Sequence, residues 1–170
     1  MTPEQFTQLG QEGYNHVPVV RQLVADLDTP LSCYVKVARG PYSYLLESAA
    51  QGGEKWARYS VVGLPSSYVV KIRGHEVTIE ENGTVTEQFH CDDPLAYVEE
   101  LQQRFSYPEL EQLPIYTGGL VGYFGYDTVR YVEKRITDTI PTDTLGTPDI
   151  LLMVSNDVIV FDNVLANRFS

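Results

Sequence analysis

The sequence predicts an α+β fold, mainly antiparallel sheet with flanking helices, and three observations carry that expectation. Runs rich in Val, Ile, Tyr and Phe recur between Gly, Pro, Asn and Ser boundaries: YSYLLES, WARYSVVGL, SYVVKIRG, HEVTIEE, TVTEQFH, GGLVGYFGY and DILLMVSNDVIVF. Such runs suit strands on a pleated surface. The links between consecutive runs are short and polar, too short for the crossover helix that a parallel pair needs, so neighbours pair antiparallel. Helix starts are marked separately, by an oxygen-bearing residue ahead of a proline, at Thr2-Pro3, Thr29-Pro30 and Asp93-Pro94.

In each of these dipeptides the side-chain oxygen caps free N–H groups, and proline takes the first helical position, where its missing N–H costs nothing. The spacing predicts helices over residues 3–11, 30–38 and 94–105. Gln5 stands where a capping-box partner reaches back to Thr2. In the third helix Leu95, Val98, Leu101 and Phe105 form an apolar stripe against Glu99, Gln102 and Gln103, which predicts one face on the sheet and one in water. Asn82-Gly83, between HEVTIEE and TVTEQFH, reads as a hairpin turn; Asn82-Gly83-Thr84 matches a glycosylation acceptor only formally. The stretch from Lys134 to Pro148, rich in Thr, Asp and Pro, is expected to be a connector and the least ordered part of the chain.

The run from Gly118 to Glu133, GGLVGYFGYDTVRYVE, is the most distinctive. Glycines beside Tyr123, Phe124 and Tyr126 in a strand-like run point to backbone packed so closely on another element that a side chain would obstruct it. Asp127, Arg130 and Glu133 recur every three residues, so the strand is expected to pass into a helical turn near Tyr126.

With 43% apolar and 21% charged residues, the composition is that of an ordinary globular chain with one core. A formal net charge of −11 argues against nucleic acid or an anionic membrane surface as partner, because a polyanion is repelled and no Lys/Arg stripe offsets the acid. Cys33 and Cys91 form neither a CxxC pattern nor a disulfide framework. The first residues, MTPEQFTQLGQEG, are polar, and no run approaches the roughly 20 apolar residues of a membrane helix. A soluble, cytoplasmic protein is expected.

Candidate chemistry is sparse. His16, His75 and His90 are scattered without a partner at metal-ligand spacing, and neither a nucleophile elbow nor a phosphate-binding glycine loop is present. No catalytic residue and no metal ligand is expected in this chain. The segment from Glu47 to Ser60 differs, since it brings Glu47, Ser48, Lys55, Arg58, Tyr59 and Ser60 to the ends of two neighbouring strands. A bound amino acid needs a carboxylate or hydroxyl for its ammonium, a cation for its carboxylate and an apolar wall for its side chain. Glu47 and Ser48 suit the first, Arg58 the second, Leu46 and Tyr59 the third; Glu and Arg on adjacent strands also make ordinary surface ion pairs.

The Gly118–Glu133 run, YSYLLES followed by WARYSVVG, and PDILLMVSNDVIVFDN, in that order, resemble the N-terminal region of anthranilate synthase component I and its relative aminodeoxychorismate synthase component I. The resemblance covers essentially the whole chain. It implies that residues 1–170 are the regulatory N-terminal domain of a longer protein whose chorismate site, Mg2+ ligands and catalytic residues lie in a C-terminal domain beyond this chain. It implies further that the whole protein makes anthranilate and pyruvate from chorismate and ammonia supplied by a glutamine amidotransferase component II. L-Tryptophan is then the feedback effector, bound at Leu46, Glu47, Ser48, Arg58 and Tyr59, the LLES serine being a residue the family uses for it. The alternatives are the folate-pathway aminodeoxychorismate enzyme and a free-standing amino-acid-binding module.

Overall fold

A computed structural model describes residues 1–24, 27–47, 58–110, 113, 116–133, 135–136 and 143–162. The order of elements is α1 (Pro3–Gln11), α2 (Pro30–Val37), β1 (Tyr44–Glu47), β2 (Tyr59–Gly63), β3 (Tyr68–Arg73), β4 (Glu76–Glu81), β5 (Thr84–His90), α3 (Pro94–Gln103), β6 (Gly119–Phe124), a 3-10 turn (Tyr126–Thr128), α4 (Val129–Val132), β7 (Ile150–Ser155) and β8 (Val158–Asp162). The fold is α+β, as the sequence predicts. All three helix starts carry their caps: Thr2 accepts from Gln5 in a complete capping box, and Asp93 accepts from the Ala96 amide. At Thr29 a second capping box forms with Ser32 in the place usually taken by Glu or Gln, a substitution not foreseen from the sequence.

The chain divides into two compact units, one of Met1–Ser66, Phe105–Gly119 and Ser155–Ser170, the other of Ser67–Arg104 and Leu120–Val154. The strands form two sheets, ordered β1-β2-β8 and β5-β4-β3-β7-β6. The run DILLMVSNDVIVF, whose enclosing segment resembles a strand pair, supplies one strand to each sheet, with the polar pair Asn156-Asp157 between β7 and β8.

In the second unit, antiparallel register aligns Val70 with Ile79 and Leu152, and Ile72 with Val77 and Ile150. Directly paired residues point to one side of a sheet, so these apolar side chains share a face, and all are buried. Phe89, paired with Val77, carries that face onto α3, where its ring meets Tyr97 edge-on at 5.5 Å. Of the expected stripe Leu95, Val98, Leu101 and Phe105, Leu101 is buried and Leu95 and Val98 are half-buried, while the fully buried residues of α3 are Pro94, Tyr97 and Leu101. The helix ends at Gln103, leaving Phe105 off it. An aromatic ring buries more apolar area than Leu95, so it sets the helix's rotation.

The β4–β5 hairpin turns at Asn82 and Gly83, with φ of 51° and 77°, the left-handed pair that a two-residue hairpin needs. The strand β6 passes into the 3-10 turn and α4 at Tyr126, and Arg130 pairs with Asp127 at 2.9 Å. Of the expected connector, residues 134 and 137–142 lie outside the described residues. Its far end is tied down, since Asp143 accepts from the Leu145 and Gly146 amides and from Arg73 at 2.8 Å.

Candidate functional site

The three-stranded sheet places most of the predicted site. β1 pairs with β2 so that Leu46 faces Val61 and Glu47 faces Ser60; β2 pairs with β8 so that Tyr59 faces Asp162 and Val61 faces Val160. Alternation then puts Tyr44, Leu46, Tyr59, Val61, Val160 and Asp162 on one face, and Glu47 with Ser60 on the other. Leu46 and Tyr59, proposed as an apolar wall, are therefore brought to one side, and Glu47 is turned away from them. Leu46 and Glu47 are exposed, Tyr59 is half-buried and Ser60 is buried. Ser48 and Lys55 lie outside the described residues.

Arg58 is engaged by a residue that sequence reasoning missed. Its Nε lies 3.0 Å from both carboxylate oxygens of Asp162, and Nη2 is 2.5 Å from Oδ2. The same guanidinium stands over the Tyr59 ring, 4.9 Å from its centroid. The Asp162 bond, the larger influence, moves the Arg58 pKa further above its ordinary value, so the cation is permanent. Asp162 sits in the VFDN segment with no neighbouring charge at helical or strand spacing. Only the register that brings β8 beside β2 could have revealed it.

On the same face, the Tyr44 hydroxyl lies 2.8 Å from the Tyr116 hydroxyl and 2.7 Å from Ser155 Oγ. Burial, then the bond to Tyr44, pushes the Tyr116 pKa up. Gly63, opposite Tyr44, is obligatory: a Cβ there would stand 2.0 Å from the Tyr44 ring. The Tyr44 ring occupies the space where a side chain at Gly63 would be.

Two shallow clefts, about 340 Å³ beside Pro3, Thr7 and Gln11 and about 290 Å³ over Lys71, Thr78 and Gln88, include none of the predicted site residues. Among the described residues no group of three or more His, Cys, Asp or Glu is placed to hold a metal ion. No helix among them is long and apolar enough to cross a membrane.

No family model matches the sequence. Curated relatives do: anthranilate synthase component 1 of Pseudomonas aeruginosa is 55% identical over 164 residues, which is 96% of this chain and 33% of that protein. Over nearly its whole length the chain is similar to the N-terminal region of anthranilate synthase component I. The component 1 protein of Neisseria meningitidis serogroup B is 47% identical over 167 residues, 96% of this chain and 34% of its own length. That of Aquifex aeolicus is 40% identical over 154 residues, 90% of this chain and 30% of its own. A solved structure of anthranilate synthase component I from Streptococcus pneumoniae TIGR4 is 27% identical, with a TM-score of 0.48 over 87% of this chain and 30% of that one. The chain thus spans about a third of the length of the curated component I relatives it matches, in their N-terminal region.

Proposed function

We propose that this chain is the regulatory, tryptophan-binding domain of an anthranilate synthase component I, in which a larger catalytic region makes anthranilate and pyruvate from chorismate and ammonia delivered by a glutamine amidotransferase component II. The observation that carries this reading is the 55% identity across 96% of the chain to a protein named for that reaction's enzyme. The site supports it in kind: Leu46 and Tyr59 share a sheet face next to a permanent cation. In this reading Mg2+ belongs with the catalytic region, as the resemblance to the family implies.

Inhibition then needs no contact with substrate. Tryptophan bound at this domain favours a conformation in which the chorismate site is poorly formed, and a difference of about 1–3 kcal/mol between the two states' affinities is enough. The test is direct. Full-length protein given chorismate, ammonia and Mg2+ forms anthranilate, read by its fluorescence, and L-tryptophan suppresses it; the 170-residue chain alone forms none. Turnover without any tryptophan sensitivity would overturn the regulatory reading and leave the enzymatic one standing.

A further inference from the structure

The bond between Arg58 and Asp162 joins the residue just before β2 to the last residue of β8, and the residue directly opposite Asp162 in the register is Tyr59. Arg58 therefore does two things with one planar group. It forks onto the Asp162 carboxylate through Nε and Nη2, and its central carbon stands over the Tyr59 ring, 4.9 Å from the centroid. A fork of this kind fixes the plane of the guanidinium as well as its position, and a plane held against a ring holds the ring. Asp162 is 19% exposed and Arg58 41%, so the carboxylate end is the more sheltered one.

We propose that Asp162 and Arg58 are positioning residues of the effector site: their ion pair sets the Tyr59 ring as the aromatic wall, and Arg58 is not the partner of the ligand's carboxylate. The proposal rests on the tryptophan-binding reading above and corrects one role within it. The two roles for Arg58 differ in sign. Were Arg58 to take the ligand's carboxylate, Asp162 would compete with the ligand, and Asp162→Asn would release the cation and tighten binding. As a clamp on Tyr59, the pair loses its fork in the same variant, the ring is freed and binding weakens.

L-Tryptophan is titrated calorimetrically into full-length wild type, D162N, D162E and R58K, with L-tryptophanamide as a second probe that lacks the carboxylate charge. D162N is expected to weaken tryptophan binding roughly tenfold, the size of one lost charge-assisted contact, with D162E recovering most of the loss and KM for chorismate unmoved. Binding that is unchanged or tighter in D162N, or a loss that D162E does not recover, overturns the proposal. R58K covers the case in which D162N does not fold. Lysine keeps the charge but has no fork, so both ligands weaken together and the preference for tryptophan over its amide stays as in wild type; collapse of that preference, or unchanged affinity, overturns the clamp. Absence of saturable tryptophan binding in the wild type defeats the effector reading itself, an outcome separate from any of these.

Discussion

The Leu151 carbonyl oxygen occupies the space that a side chain at Gly122 would need, since a Cβ there would stand 1.8 Å from it. Gly118 meets the Ser155 carbonyl in the same way at 2.4 Å, and Gly125 meets that of Asp149 at 3.1 Å. These glycines let β6 lie against the backbone of β7, running in the opposite direction. Backbone cannot swing aside as a flexible side chain does, so Gly122→Ala is expected to cost about 3 kcal/mol, at the upper end for an overpacked site. Gly10, inside α1 with nothing within 4 Å of its Cβ position, gives the contrast: Gly10→Ala is expected to raise helix content, by about 0.5–1 kcal/mol of local stability. Urea denaturation for the first and far-ultraviolet circular dichroism for the second decide.

Tyr44 is the hub of a hydroxyl network, and Ser155, one of its partners, is only 3% exposed. Tyr44→Phe keeps the ring over Gly63 and removes only the oxygen. It is expected to lower unfolding free energy by about 1–3 kcal/mol, the cost of leaving buried hydroxyls short of partners. A midpoint shifted with an unchanged urea slope is the expected signature; an unshifted midpoint would show that water replaces the hydroxyl.

Alkaline pH acts on two half-buried phenols. Burial is the first cause raising the pKa of Tyr116 and of Tyr131, with a hydrogen bond to Tyr44 second for one and to Asp149 for the other. A raised folded-state pKa means that the native protein holds its protons more tightly than the unfolded chain. The resulting stability is fully present below the unfolded tyrosine value of about 10 and is lost as pH rises from there through the folded value. Melting temperature is expected to be level with respect to these two groups up to about pH 9 and to fall beyond about pH 10. Tyr131→Phe, which also removes the hydroxyl's contacts at 2.8 Å with Asp149 and with the Gly74 carbonyl, is expected to flatten that fall; an unaltered slope would remove Tyr131 as a source.

Helix caps are expected to differ in consequence although they look alike in sequence. Asp93 caps α3, whose Tyr97 and Leu101 are buried, so Asp93→Ala should lower global stability by about 1 kcal/mol. Thr2 caps α1, which buries no residue, so Thr2→Ala should fray that helix and leave the global midpoint in place. Hydrogen exchange at the first amides of each helix, set beside the denaturation midpoints, separates local from global loss.

Ser48 lies outside the described residues, and its expected role follows from the family reading. Ser48→Phe in the full-length protein should raise the tryptophan concentration for half-inhibition roughly tenfold to a hundredfold, the worth of one hydrogen bond to a charged group, while turnover is largely kept. An unshifted inhibition curve would remove the LLES segment from the effector site.

Local chemistry was legible in the sequence because its causes are local. Thr2, Thr29 and Asp93 before prolines mark where helices begin, Asn82-Gly83 marks a left-handed turn, and the glycines from Gly118 to Gly125 announce a close backbone approach without naming what approaches. Leu46, Arg58 and Tyr59 could be nominated from residue types alone, since an amino acid asks for a cation and an apolar wall. Only the tertiary structure decided which groups meet. It placed β7 and β8 in different sheets, added Tyr97 to the buried stripe of α3, and turned Glu47 to the face opposite Leu46. It also supplied Asp162 to Arg58 across 104 positions and Ser155 to Tyr44 across 111. Pairing at that distance is set by strand register, which depends on packing summed over whole sheets, and no short window of sequence contains that sum.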